Sequence, residues 1–356
     1  MARESQESFA GFPGVRRLFA RARFPGTIKQ STSSDSNPDF TGVQRPQGSS
    51  NSVDIEALRE LSWSGIPPKL RPDCWRILLG YAPPNRERRE TILARKRQEY
   101  RDFVPSYYEG AGGANASEDE VSVDVPRTAP GVPFFSQPDV QSSLERILYL
   151  WGLRHPASGY VQGINDLVTP FLAVFASEHF EGPMSEWRVG QLPPDTLLAM
   201  EADCYWCLSR LLDGIQDHYT HAQPGIQRAV FHLRELVRRV DEPTAAHLEA
   251  QGLEFLQFAF RWVNCLLLRE VPFMLGIRLW DTYLAEGTGL REFLVYILAS
   301  FLLSWSADLR TLEFQELIMF LQRPPTADWG EDDVELILSR AFMWRSSFKG
   351  AVNHFS

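Results

Sequence analysis

Four cysteines in 356 residues are too few to staple a fold of this size. Only Cys204 and Cys207 form a C-x-x-C, and a zinc site would need a second pair or histidines at ligand spacing, which the sequence does not offer. Packed, reduced core cysteines are the expectation. Histidine is sparse and scattered too: His218 and His221 stand at i, i+3 without a third ligand and read as surface residues. Positive charge is in deficit, with 36 Lys and Arg against 45 Asp and Glu and a formal net charge of −9. That balance excludes a dedicated nucleic-acid binder, since phosphate contact needs clustered basic side chains. The longest apolar run, Phe293 to Trp305, is too short for a bilayer and is flanked by Arg291, Glu292 and Asp308, so it reads as a buried helix. The opening residues carry Glu4 and Glu7 and no apolar run, which argues against a signal peptide. A soluble, cytoplasmic chain is expected. Nucleotide loops and hydrolase motifs are lacking as well: no G-x-x-x-x-G-K-[ST] or G-x-G-x-x-G, and no H-E-x-x-H or G-x-S-x-G, occurs. The chain shows no self-contained active site, and no cofactor or metal of its own is expected.

What is present is a core. Hydrophobic residues make up 44% and aromatics 12% of the chain, a globular composition. Residues 1–52 differ, being rich in Ser, Gly, Pro and Arg, and are expected to be a disordered tail. Within them Val15 to Phe24 is a basic stretch, and Ser31 to Ser36 offers phosphorylation sites. From Val53 onward apolar residues recur at helical spacing. Such stretches include Ile55–Leu61, a helix after Pro72, the charged outer segment Arg86–Tyr100, Val140–Trp151, and further segments near 164–178, 196–213, 225–240, 253–269, 271–285, 290–306, 311–322 and 333–345. No sustained strand alternation interrupts them, so the fold class is all-α. Trp151, Trp206, Trp262 and Trp280 fall at core-like helical positions. The chain divides into the tail 1–52, a main domain 53–290, and C-terminal helices 291–356 packing on it.

One segment breaks the pattern. From Val104 to Pro138 the sequence reads as a long irregular loop, mobile through Glu120 and then stiffened where Pro126 biases Val125 toward an extended conformation. That loop projects Arg127. A second polar residue, Gln162, sits in Ser158-Gly-Tyr-Val-Gln-Gly163. A guanidinium can neutralise charge on a transferring phosphoryl group, and a carboxamide can orient the attacking water. A chain holding both, but no nucleotide site, points to a protein that donates them to another protein's active site.

Those residues lie in motifs. Arg71-Pro-Asp-Cys-Trp75 fits R-x-x-x-W, Val121 to Arg127 fits [I/V]-x-x-D-x-x-R, and Tyr160-Val-Gln162 fits Y-x-Q. In that order and spacing they resemble the signature motifs of the TBC domain of Rab GTPase-activating proteins. Downstream, Phe258 to Glu270 and Arg278-Leu-Trp-Asp281 are similar to that domain's second half. The resemblance runs from Gly65 to Ala285, and His155–Pro170 with Asp213–Asp217 looks like the subgroup of TBC domain family member 22.

The resemblance implies two helical subdomains with a long catalytic finger loop, and acceleration of GTP hydrolysis in trans on a GTP-bound Rab-family small GTPase. Arg127 would enter the partner's nucleotide site and Gln162 would orient the water. Asp124 would act as the acceptor that holds the finger loop. Tyr160, Asn165 and Asp166 would position Gln162 and touch the partner's switch regions, while Arg71 and Trp75 would brace the loop. GTP and Mg²⁺ would belong to the partner. A Golgi adaptor, or a phospho-dependent binder of the tail, would be a further partner, with membrane association peripheral at most, at the Golgi or other endomembranes. The competing reading is a TBC-fold scaffold that binds a Rab or a Golgi adaptor without catalysis. The presence of both Arg127 and Gln162 tells against it. Which Rab is served, and the oligomeric state, are not written in one chain.

Overall fold

The computed structural model describes residues 51–109 and 116–349. The expectations for the tail residues 1–50, with its basic stretch and its serines, and for the Gly-Ala stretch at 110–114 lie outside the described residues. Within them there is no strand, only an isolated bridge between Ser52 and Asn85. The protein is all-α.

Helix α1 (Ile55–Trp63) begins where Asp54 accepts the Glu56 and Ala57 amides, satisfying donors that the first turn leaves free. Helix α2 (Arg71–Leu78) has Pro72 in its first turn, where a missing N–H costs nothing. Helix α3 (Arg86–Phe103) is capped by Asn85 and buries only Leu93 and Tyr100, as its charge requires. It is followed by α4 (Ala116–Asp124), α5 (Pro138–Arg154), the wholly buried α6 (Ile164–Ala176) and α7 (Pro194–Gly214). Asp203 of α7 ties this half together, taking Arg76 of α2 at 2.9 Å, Arg97 of α3 at 2.8 Å and the Tyr81 hydroxyl at 2.7 Å. Burial would raise this carboxyl; the Arg97 bonds and the Arg76 charge outweigh it and hold its pKa below the ordinary value.

The second half comprises α8 (Pro224–Val240), α9 (Glu242–Ala250), α10 (Leu256–Asn264), α11 (Phe273–Glu286), α12 (Leu290–Leu302), the short α13 (Ser306–Leu309), α14 (Phe314–Gln322) and α15 (Glu331–Lys349). Helix α8 packs on α9, α10 and α12, and α15 lies along α12. The halves meet where α11 packs against α1 and α2. Arg71 and Trp75 act here, not at the finger loop. Arg71 Nη2 donates to Asp281 Oδ2 at 2.9 Å and Trp75 Nε1 to Asp281 Oδ1 at 2.8 Å, and the Ile66 amide adds a third donor at 2.9 Å. The expected brace is therefore a clamp on the buried Asp281 of the second half, because a carboxylate removed from water needs several donors.

Four further expectations are corrected. The segment from Val104 to Pro138 is largely helical, with a π-helical turn at Val104–Glu109, then α4, and 3₁₀ turns at Val125–Arg127 and Pro133–Ser136. Val125 is accordingly not extended: Pro126 sits in the first turn of a 3₁₀ helix, where its fixed φ is also compatible. His218 is buried, not on the surface, since its 3₁₀ turn lies under α8. A Cβ at Gly225 would stand 2.5 Å from the His218 ring. Trp151, Trp262 and Trp280 are buried as expected, but Trp206 is only half-buried, donating to the Lys96 carbonyl with the Lys96 ammonium over its ring. The buried helix expected at Phe293 to Trp305 is found, buried from Phe293 to Leu303, within a helical run Phe273–Leu309 that has the length and composition to cross a membrane but has 67% of its apolar window inside the fold. All four cysteines are free and buried.

Candidate functional site

The functional corner is built by two segments that meet side by side. The first is the end of α4 with its 3₁₀ turn, which carries Asp124 to Arg127. The second is the irregular stretch ahead of α6, which carries Tyr160 to Gly163. Val121 is fully buried and seats α4, while α4 packs on α5. The second segment can turn only because Gly163 takes φ 108°, a left-handed value that side chains rarely adopt.

A closed chain of hydrogen bonds joins the two segments. The Tyr160 hydroxyl donates to Asp124 Oδ2 at 2.8 Å; Asn165 Oδ1, at 3.2 Å, is the longer alternative and also takes the Gly163 amide at 2.9 Å. Asn165 Nδ2 donates to Thr128 Oγ1 at 2.9 Å, and that hydroxyl donates to the Asp124 backbone carbonyl at 3.0 Å. Burial first, then the Asp124 carboxylate, pushes the Tyr160 phenol well above its ordinary range, so it stays protonated as a donor. Asp124, Thr128, Tyr160 and Asn165 are all buried.

Above this buried ring stand the two exposed side chains. Arg127 makes no hydrogen bond or ion pair with any of the described residues. Gln162 reaches Asp124 Oδ1 only at 3.5 Å, a bond long enough to be given up readily. Asp124 therefore holds the turn through Tyr160 and does not pair with Arg127. Asp166 points elsewhere: its Oδ2 lies 3.5 Å from Cys265 Sγ and 3.9 Å from Arg269 Nη1. Burial raises its pKa, against the lowering effect of Arg269. Tyr160, Asn165 and Asp166 are each at most 6% exposed. Arg127, Gln162 and Val123 on α4, by contrast, are exposed.

Three members of the corner were not singled out from sequence. Gly163 was the most accessible, since a Gln-Gly step before a helix signals a left-handed start. Thr128 gives no cue beyond following Arg127. Asn264 is one polar residue inside the apolar run from Trp262 to Leu268, and its Nδ2 donates to the Gln162 carbonyl at 3.0 Å. Among the described residues no group of His, Cys, Asp and Glu could hold a metal ion.

Comparison with known proteins identifies the family. A family model described as the Rab-GTPase-TBC domain matches residues 68–309, running beyond residue 290 into the C-terminal helices. GTPase-activating protein gyp1 of Schizosaccharomyces pombe is 50% identical over 309 residues, covering 85% of this chain and 60% of its own length. Human TBC1 domain family member 22B is 48% identical over 310 residues, covering 86% of this chain and 61% of its own. The chain thus spans about three-fifths of the length of these curated relatives. The crystal structure of the Ypt/Rab-GAP domain of Gyp1p superposes with a TM-score of 0.80 at 44% identity, over 87% of this chain and 97% of that one. From its family match and these relatives, the chain belongs to the Rab-GTPase-TBC domain family.

Proposed function

We propose that this chain is a GTPase-activating protein for a Rab-family GTPase, lending Arg127 and Gln162 to the partner's bound GTP. Arg127 balances the charge that develops on the transferring phosphoryl group, and Gln162 orients the hydrolytic water. An arginine finger supplies ~10³–10⁵ in rate, equivalent to about 4–7 kcal/mol of barrier. GTP and Mg²⁺ stay with the partner. The carrying observation is that two exposed side chains of the right chemistry are pinned at their bases by one buried hydrogen-bond ring. Support also comes from the Schizosaccharomyces pombe relative, which is a GTPase-activating protein. The reading places the chain in the cytoplasm, meeting its GTPase on the face of an endomembrane such as the Golgi, directly or through an adaptor.

The test is phosphate release from a panel of GTP-loaded Rab GTPases. The chain accelerates at least one of them; Arg127→Ala abolishes the acceleration and Gln162→Ala sharply reduces it to a still measurable rate, each without changing the melting temperature. Binding to a Rab with no acceleration would instead make it a scaffold.

A further inference from the structure

We infer that Asn264 is a positioning residue for Gln162, gripping the glutamine segment from the other half of the molecule; this rests on the proposed role of Gln162. Asn264 ends α10, is 5% exposed and donates from Nδ2 to the Gln162 carbonyl at 3.0 Å. Only the amide nitrogen can serve a carbonyl, so the side chain has one productive orientation. In that orientation its Oδ1 is buried without a partner among the described residues. An asparagine that leaves one buried atom unmatched carries a cost that an apolar residue would avoid. Packing alone therefore does not account for its presence.

The chain around Asn264 is shaped for this contact. Its own carbonyl accepts the Tyr219 hydroxyl at 2.7 Å, fixing the end of α10. Beyond it, Leu266 and Leu267 take φ values of 49° and 61°, a left-handed turn that branched residues rarely adopt. The turn sets Cys265 and Arg269 against Asp166 while Asn264 holds Gln162. Three groups from one strained turn thus bear on residues 162 to 166, and strain of this kind collects at functional sites. The fit is close on the opposite side: a Cβ at Gly163 would lie 2.1 Å from Asn264 Nδ2, so glycine is what lets the amide reach the carbonyl.

Without the Asn264 donor the Gln162 backbone loses its anchor on the second half, and the carboxamide no longer stays where the water must be held. A misplacement of a catalytic group by about 1 Å can cost on the order of 10²-fold in rate. The experiment measures turnover at saturating GTPase, and KM, for the full chain, Asn264→Ala, Asn264→Asp, Gln162→Ala and the Asn264→Ala/Gln162→Ala pair. Asn264→Asp keeps the volume and removes the donor, so it carries the comparison if Asn264→Ala does not fold. The expected result is turnover down about tenfold or more with KM within about twofold, and a double variant no slower than Gln162→Ala alone. Turnover within about twofold of the unsubstituted chain in a folded variant, or losses that multiply in the pair, would overturn the inference. The case in which Arg127→Ala is inactive but both Asn264 variants are fully active sinks this inference alone. No acceleration of any GTPase by the unsubstituted chain sinks the proposed function, and this inference with it.

Discussion

Arg127 and Gln162 are exposed, yet what fixes them is buried, and single buried atoms decide the outcome. Thr128 shows this. Its hydroxyl accepts from Asn165 and donates to the Asp124 carbonyl, closing the ring between the two segments. Thr128→Val keeps the shape and strands both partners in a site 2% exposed. It should destabilise the fold by about 1–3 kcal/mol, read as a lower urea midpoint with an unchanged slope, and under the proposed function it should also lower GTPase activation. The residues that face outward were legible in the sequence, because their chemistry is local to the motif. What they bond to was not. Asp124 holds the turn as the resemblance implies, but the residue it holds it through, Tyr160, lies 36 residues away, while the 3₁₀ turn leaves Arg127 exposed. Thr128 and Asn264 went unseen for the same reason, since each acts across a sequence distance that no local pattern spans.

Among the elements, those with a long apolar stripe were readable and those without one were not. Helix α8 begins where expected, whereas α4 has no apolar stripe to announce it, because a Gly-Ala stretch and the acidic Glu118 to Glu120 precede the buried Val121. Pro126 misled in the same region: proline's effect on the preceding residue favours extended backbone, but a 3₁₀ turn accommodates the ring. The 3₁₀ turn beneath α8 yields a pH prediction. Burial lowers the His218 pKa from 6.5 to about 4, with Arg291 and Arg228 assisting and Asp217 opposing. Between those values the unfolded chain binds the proton that the folded chain refuses. Stability from this group is complete above pH 6.5 and is lost as the pH falls toward 4. His218→Asn should flatten that part of the stability profile, measured by urea unfolding at pH 7.5 and at successive steps below it.

At the scale of the whole molecule, the seam between the two halves holds a buried carboxylate that demands its partners. Asp281 is fully buried and satisfied by Arg71, Trp75 and the Ile66 amide. Asp281→Ala leaves a guanidinium and an indole N–H without an acceptor, and should cost about 3–5 kcal/mol; a melting temperature unchanged from the parent would refute the clamp. The apolar run from α11 to α13 has a different consequence, felt during synthesis. Its membrane-length window is hidden partly because α15 lies along α12, with Arg345 placed 4.2 Å from the Phe293 ring centroid. Helix α15 follows every other described helix in the chain, so the ribosome releases it after the surface it covers. At about 5–20 residues per second, a nascent chain displays that surface for seconds, to chaperones and lipid alike, and a chain cut before Glu331 displays it permanently.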